Sequence, residues 1–178
     1  MEPATVKCAA RVVFAALLLV CAVDIARAWE KERVLSKAAR EGARVAVSIP
    51  LSSLDCTDRT PCAIESAAEA VKNSLTNAGL SEASCITPKS PSFSGIVVWV
   101  YSCDGETTCS ANGGAVCVKI DMTAVVVAKD GAWIPSTRVT VEAPHRWAVG
   151  SLVSLLPGRL RMSLPRALSM EAVTANRG

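Results

Sequence analysis

Cysteine is the residue type in this sequence with the greatest capacity for chemistry, and there are eight of them. Cys8 and Cys21 stand in an apolar N-terminal stretch. Cys56, Cys62, Cys85, Cys103, Cys109 and Cys117 fall in the more polar body. An even set confined to the body reads as a disulfide framework formed in an oxidising compartment. Structural zinc, the rival chemistry, normally uses two close ligand pairs. Here no Cys-x-x-Cys occurs and the sole histidine, His145, is far along the chain from the cluster. Spacing does not choose among the connectivities. Cys56–Cys62 and Cys103–Cys109 are the candidate local pairs, because each would clip a turn-rich loop.

The remaining chemistry-bearing residues form no catalytic pattern. Any Ser-His or Cys-His nucleophile must use His145, which follows Pro144 at a predicted strand end, and no Gly-x-Ser-x-Gly elbow is present. His145 is therefore read as a turn histidine. Gly113-Gly114 lacks the lysine and spacing of a phosphate cradle. Asp55, Asp58, Asp104 and Glu106 lie in loops among the cysteines and read as solvated turn residues. Cys103 and Cys109 lack the Cys-x-x-Cys spacing of a redox pair. The expectation is a chain that is not an enzyme and takes no cofactor, metal or small-molecule substrate. A net charge of +3 and 4% aromatics disfavour nucleic acid and base stacking. With 51% hydrophobic and 20% charged residues, 178 in all, the chain has material for one cored domain and an appended segment.

The elements that position these residues begin with the uncharged run Val12–Val23, which as a helix spans about 18 Å, short of the roughly 30 Å hydrocarbon core. Extended over Lys7–Ala28 it reaches about 33 Å. Lys7 and Arg11 can then snorkel at one end, while Asp24 and Arg27, three apart, can pair at the other. The competing reading is a signal peptide cut after Ala26-Arg27-Ala28, before Trp29. Arg27, Lys31, Arg33 and Lys37 after the run would by the positive-inside rule hold the body in the cytoplasm. The clustered cysteines point the other way, and they decide the expectation because Asp24, Glu30 and Glu32 make that flank mixed rather than basic.

Residues 24–49 contain no proline and are rich in good helix formers. Ile25, Ala28, Trp29, Leu35, Ala38, Ala39, Gly42, Val45 and Ala46 approximate one helical face, and Pro50 ends the pattern. One helix from about Val12 to Ile49, roughly 55 Å long, is expected. Its small-residue patch Ala38, Ala39, Gly42 and Ala43 allows close approach of another element: the chain's own sheet for most of the stripe, or a partner helix. A second helix is expected over 61–78, opened by Thr60-Pro61 and stopped by Gly79. Strands are expected over 96–101, 116–126 and 137–143, with edge strands over 160–164 and 167–173. Asp130-Gly131 suits a tight turn, and Trp147–Leu156 reads as a core-covering helix or an exposed docking patch. The sum is an α+β fold, a long N-terminal helix on a small antiparallel sheet with disulfides.

Two strings carry a resemblance. Asp24-Ile25-Ala26-Arg27-Ala28 and, ten residues on, Ala39-Arg40-Glu41-Gly42-Ala43-Arg44, preceded by Ala38, are similar to the TadE-like family of pilus-assembly proteins. That family joins an apolar helix ending in an acidic residue and an arginine to an Ala-Ala-Arg-Glu-Gly-Ala-Arg block. Val139-Thr140-Val141, Pro144, Trp147 and Met170-Glu171 occupy places similar to its later strands. Lys7-Cys8 stands where type IV-like prepilins carry a Glu-Phe pair, and no glycine precedes it. The resemblance implies a pilin-like fold in three parts: a membrane-anchoring half (1–28), an amphipathic continuation (29–49) and an extracytoplasmic disulfide-bridged domain (50–178). It implies single-pass residence in a bacterial inner membrane, with membrane lipid and other pilus-assembly proteins or pilins as partners. The alternative expectation is a secreted, disulfide-stapled binding domain released after Ala28.

Overall fold

Prolines at positions 3 and 50 are the only two in the first fifty residues, and the chain between them is a single helix, α1 (Pro3–Ser48, 46 residues). Proline is well suited to a helix start, and the residue before one is disfavoured in helical conformation, so both ends have a local cause. At 1.5 Å per residue α1 is about 69 Å long, exceeding the expected rod because it begins nearer the amino terminus. The computed structural model describes residues 3–49, 62–87, 92–93, 98–103, 109, 115–127, 131–148 and 167–175.

Helix α2 (Cys62–Asn77) buries Ala63, Ile64, Ala67, Ala68, Val71 and Leu75, a face with helical spacing. It stops where expected. Gly79 takes a left-handed φ of +86°, Leu80 N–H donates to Leu75 O at 3.0 Å and Gly79 N–H to Thr76 O at 3.0 Å. This is a Schellman closure, which a side chain with a Cβ would strain. A short 3-10 turn (Ser81–Cys85) follows.

Five strands, β1 (Ser92–Phe93), β2 (Val98–Ser102), β3 (Cys117–Val127), β4 (Trp133–Pro144) and β5 (Ala167–Ala175), pair antiparallel in sequence order. The fold is the expected α+β arrangement, a long helix on a small antiparallel sheet with disulfides. β4 is longer than expected, and β1 falls outside the expected strands. β5 lies at the sheet edge as anticipated. The strand expected over 160–164 and the run after Ala148 lie outside the described residues.

β4 and α1 run antiparallel to one another. Lys31 Nζ donates to Pro144 O, while a Cβ placed on Gly42 would sit 3.5 Å from Val139 Cγ1. From position 31 to 42 the helix rises about 16 Å, and β4 covers the same distance between 144 and 139. Around this line Leu35, Ala38, Ala39, Ala43 and Ala46 of α1 meet Ile64, Ala67, Val71 and Leu75 of α2 and Val118, Ile120, Val139, Val141 and Ala172 of the sheet, all buried in one core.

The perfect alternation expected along β3 breaks. The register shifts between Asp121 and Ala124, a bulge that adds one residue to β3. Beyond it Ala124 pairs with Ser136, both buried, and Val125 and Val127 pair with Pro135 and Trp133. This end is uncovered: Val127 is 61% and Trp133 76% exposed. β4 extends about 20 Å past Val139, whereas α1 stops about 9 Å past Gly42, so the helix ends too soon to shield the strand tips.

Candidate functional site

Asp24 divides α1. Before it, Val12, Val13, Phe14, Leu18, Leu19 and Val23 are all exposed, and the helix is long and apolar enough to cross a membrane or to serve as a signal sequence. Asp24 itself is 3% exposed, and from it the buried positions Ala28, Leu35, Ala38, Ala39, Gly42, Ala43 and Ala46 recur at helical spacing. Ile25 and Trp29, expected on this face, are 63% and 59% exposed. The true stripe is rotated away from them because it is centred on the alanines that contact α2.

Asp24 is buried, whereas Arg27, its expected partner three residues on, is exposed; the ion pairs Arg44–Glu41 and Arg138–Glu171 both lie at the surface. Near Asp24 stands the end of β4. There the His145 ring meets Trp147 edge-on, with centroids 4.6 Å apart, and Nε2 of His145 is buried without a hydrogen-bond partner. Burial, then the Lys31 ammonium, hold the imidazole below its ordinary pKa, with Asp24 and Glu32 opposing. His145 thus belongs to the junction between α1 and the sheet.

The Ala-Ala-Arg-Glu-Gly-Ala-Arg block splits by face. Ala38, Ala39, Gly42 and Ala43 are buried; a Cβ on Gly42 would come 2.4 Å from Val71 Cγ2 and 3.4 Å from Ala67 O. The close approach that these small residues permit is therefore made by the chain's own α2, and packing of a partner helix at Gly42 is corrected accordingly. Arg40, Glu41 and Arg44 point outward. Arg40 Nη2 donates to Ser36 Oγ at 2.7 Å, and Arg44 Nη2 to Glu41 Oε1 at 2.6 Å. That hydrogen bond, followed by the guanidinium's charge, holds the Glu41 carboxyl below its usual pKa.

The disulfides also differ from one expected pair. Cys85 bonds Cys103 and Cys109 bonds Cys117, so Cys103–Cys109 is corrected. Cys62 is disulfide-bonded as well, and Cys56 lies outside the described residues. The first bridge ties the 3-10 turn after α2 to the end of β2. The second fastens residue 109 to the start of β3. Each therefore fastens a segment outside the sheet to a strand end, over 18 residues in the first case and 8 in the second. Cys21, in the apolar half, is a free thiol.

Within the core, Trp99 Nε1 and Tyr101 OH are buried without partners. Burial, then the Glu65 carboxylate, push the Tyr101 phenol well above its ordinary value, so it stays protonated at physiological pH and packs as a ring. Sequence reasoning missed a different feature. Trp29, Glu32, Arg33, Ser36 and Arg40 of α1 and Met170 of β5 line an open groove of about 300 Å³. The Arg33 guanidinium carbon lies 4.0 Å from the Trp29 ring centroid. Their i,i+4 spacing was the available signal; that Met170 completes the groove follows only from the pairing of β5.

No family model matches this chain, and neither a curated protein nor a solved structure does.

Proposed function

We propose that this chain is a membrane-anchored, non-enzymatic assembly protein of a tight-adherence type pilus or related secretion system, similar to TadE-like minor pilins. The bare half of α1 spans a bacterial inner membrane once and the disulfide-bridged head stands on the extracytoplasmic side. The observation that carries this reading is the division of α1 at Asp24. The apolar run Val12–Val23, most of it exposed, continues without a break into a half buried in the head, and Lys7–Ala28 as helix is about 33 Å, close to the hydrocarbon thickness. The disulfides support an oxidising compartment. The head would present its surface to other pilus-assembly proteins, with the outward Arg40, Glu41 and Arg44 as the part of the motif free to meet them.

The alternative, release after Ala28, is supported by the Ala26-Arg27-Ala28 string. It would remove Asp24 and Ala28, both buried in the head. Mass spectrometry of the mature amino terminus from native membranes separates the two. A chain retaining Val12–Val23 is expected, and one beginning at Trp29 overturns the anchored reading. Alkylation without reductant should leave Cys85, Cys103, Cys109 and Cys117 unmodified. Pull-down of pilus components should persist in the wild type and weaken when Arg40, Glu41 and Arg44 are replaced together; unchanged capture would remove that surface from the interface.

A further inference from the structure

One line of α1 is exposed at every step from Arg44 down into the apolar half. Alternating intervals of four and three residues lead from Arg44 to Arg40, Lys37, Arg33 and Glu30, and on without a change of spacing to Ala26, Val23 and Leu19. This is the spacing of a seam along which a second helix packs. On the helix it lies opposite the buried face of Ala38, Ala39, Gly42 and Ala43, so α2 and the sheet do not compete for it. Below Glu30 the line is apolar, in the half that the anchored reading places in the bilayer. From Arg33 to Arg44 it is cationic over about 17 Å of axis, beginning about 15 Å past Val23 and therefore in water beyond the headgroups.

The cations outnumber their local partners. Between Arg33 and Arg44 the chain carries four cations and one carboxylate, Glu41. Arg44 donates to that carboxylate at 2.6 Å, and Lys37 acts on the same group through its charge. Two of the four are also held in position by α1 itself. The Arg33 guanidinium lies over the Trp29 ring at 4.0 Å, which occupies its flat face and leaves its N–H edge for an acceptor. Arg40 Nη2 donates to Ser36 Oγ at 2.7 Å. Part of the ordering cost of binding is thus met before a partner arrives.

The occupant follows from these charges and from the bilayer. Copies of this chain anchored in one membrane stand at one height, so an in-register pair along this line would set its four cations against like charges. A partner that follows the line below Glu30 enters hydrocarbon, where an isolated segment satisfies its backbone only as a helix. The complement is a helix that is apolar opposite Ala26, Val23 and Leu19 and carries carboxylates at the same spacing opposite the cations. Glu30, at the foot of the charged part, marks the register by favouring a neutral or basic residue across from it.

We propose that this line of α1 packs against one helix of a different membrane-anchored protein, a helix whose segment just outside the bilayer is acidic. The inference rests on the anchored reading of α1 and names the chemistry of the partner. Carboxylates of that helix meet Arg33, Lys37 and Arg40 in charge-assisted hydrogen bonds, and like-charge repulsion keeps copies of this chain from occupying the same face.

The test uses the full chain, with a donor dye at its amino terminus, in vesicles of phosphatidylcholine, and energy transfer to acceptor-labelled synthetic helices reads association. All the helices share one leucine-rich span with alanines along one face. Outside the span the first continues the alanine line with glutamates, the second continues it with glutamines, and the third carries the glutamates on its opposite face. The first should associate about tenfold more strongly than either of the others. Replacing Arg33, Lys37 and Arg40 together by glutamine should abolish that ranking with the thermal midpoint of the head unchanged. Arg146→Gln, an exposed cation off the line, should leave the ranking intact. Equal association of the three helices with the wild type overturns the proposal, whatever the variants do. So does a ranking that survives the triple substitution, an equal loss in Arg146→Gln, or transfer between two labelled copies as strong as transfer to the first helix. Flotation of the same vesicles reads the anchor independently. A chain that floats without ranking the helices refutes the line alone, whereas one left in the dense fraction refutes the anchored reading and the proposal with it.

Discussion

The two halves of α1 invert the usual relation between hydrophobicity and burial. The half before Asp24 carries Val12, Val13, Phe14, Leu18 and Leu19 and is exposed, whereas the half after it buries mostly alanines and a glycine. Transfer from water favours large apolar side chains, so the first half has the stronger drive to leave it. Its partner surface must then be something other than this chain's own head. The second half gains by a different route: small side chains bring α2 close enough for dense contact, and Gly42 is where Val71 fits. The lesson is that side-chain size on a long helix marks which neighbour it is built for. Where two helices approach most closely, as at Gly42 against Val71, bulk is excluded, while Leu35 fills the wider part of the same core.

The sharpest way to break this contrast is Gly42→Leu. The first added carbon meets Val71 at 2.4 Å, so a loss of at least about 3 kcal/mol is expected, read as a collapse of the head's unfolding midpoint. Leu35→Ala, at a side chain with 0% exposure, should cost about 3 kcal/mol. The matched Leu19→Ala, at 68% exposure, should leave the head's midpoint unchanged; equal costs would erase the distinction between the halves. Joint replacement of Cys85 and Cys103 by serine opens a bridge of sequence separation 18 and should cost about 3 kcal/mol on the chain-entropy account. Chemical denaturation with and without reductant checks it. The two Leu substitutions concern the halves themselves, while the cysteine pair tests whether the head holds together independently of the first half.

The smallest expected effect lies at the boundary between the halves. The folded His145 pKa is held below its ordinary 6.5, so the unfolded chain binds the extra proton first as pH falls. The stability that His145 contributes is therefore fully present above about pH 6.5 and declines as pH drops toward the depressed folded value. His145→Gln should flatten the midpoint's pH dependence in that window; an unaltered slope would assign it to other groups. Asp24 and Glu32 oppose the shift, so the effect is modest.

Much of the framework was legible because its causes are local. Pro50 ends α1, Gly79 closes α2, and β-branched runs mark β3 and β4. The small residues at 38, 39, 42 and 43 announced a close contact, yet their partner was not readable, since a permissive surface says nothing about which element uses it. The groove was illegible for a related reason: five of its residues share one helix, and the sixth arrives from β5 across more than a hundred residues of chain.

The sequence by itself determined where the rod ends, that one end is bulky and apolar and the other small, and that cysteines staple the body. Those are properties of neighbouring residues, set by backbone sterics and side-chain volume. Tertiary structure alone decided that Asp24 is buried while Arg27 is not, that Cys103 bonds Cys85 rather than Cys109, and that a bulge in β3 shifts its register against β4. Each of these depends on distances between segments far apart in the chain. Sheet register and helix docking set such distances as a whole, and no local run of residues encodes them.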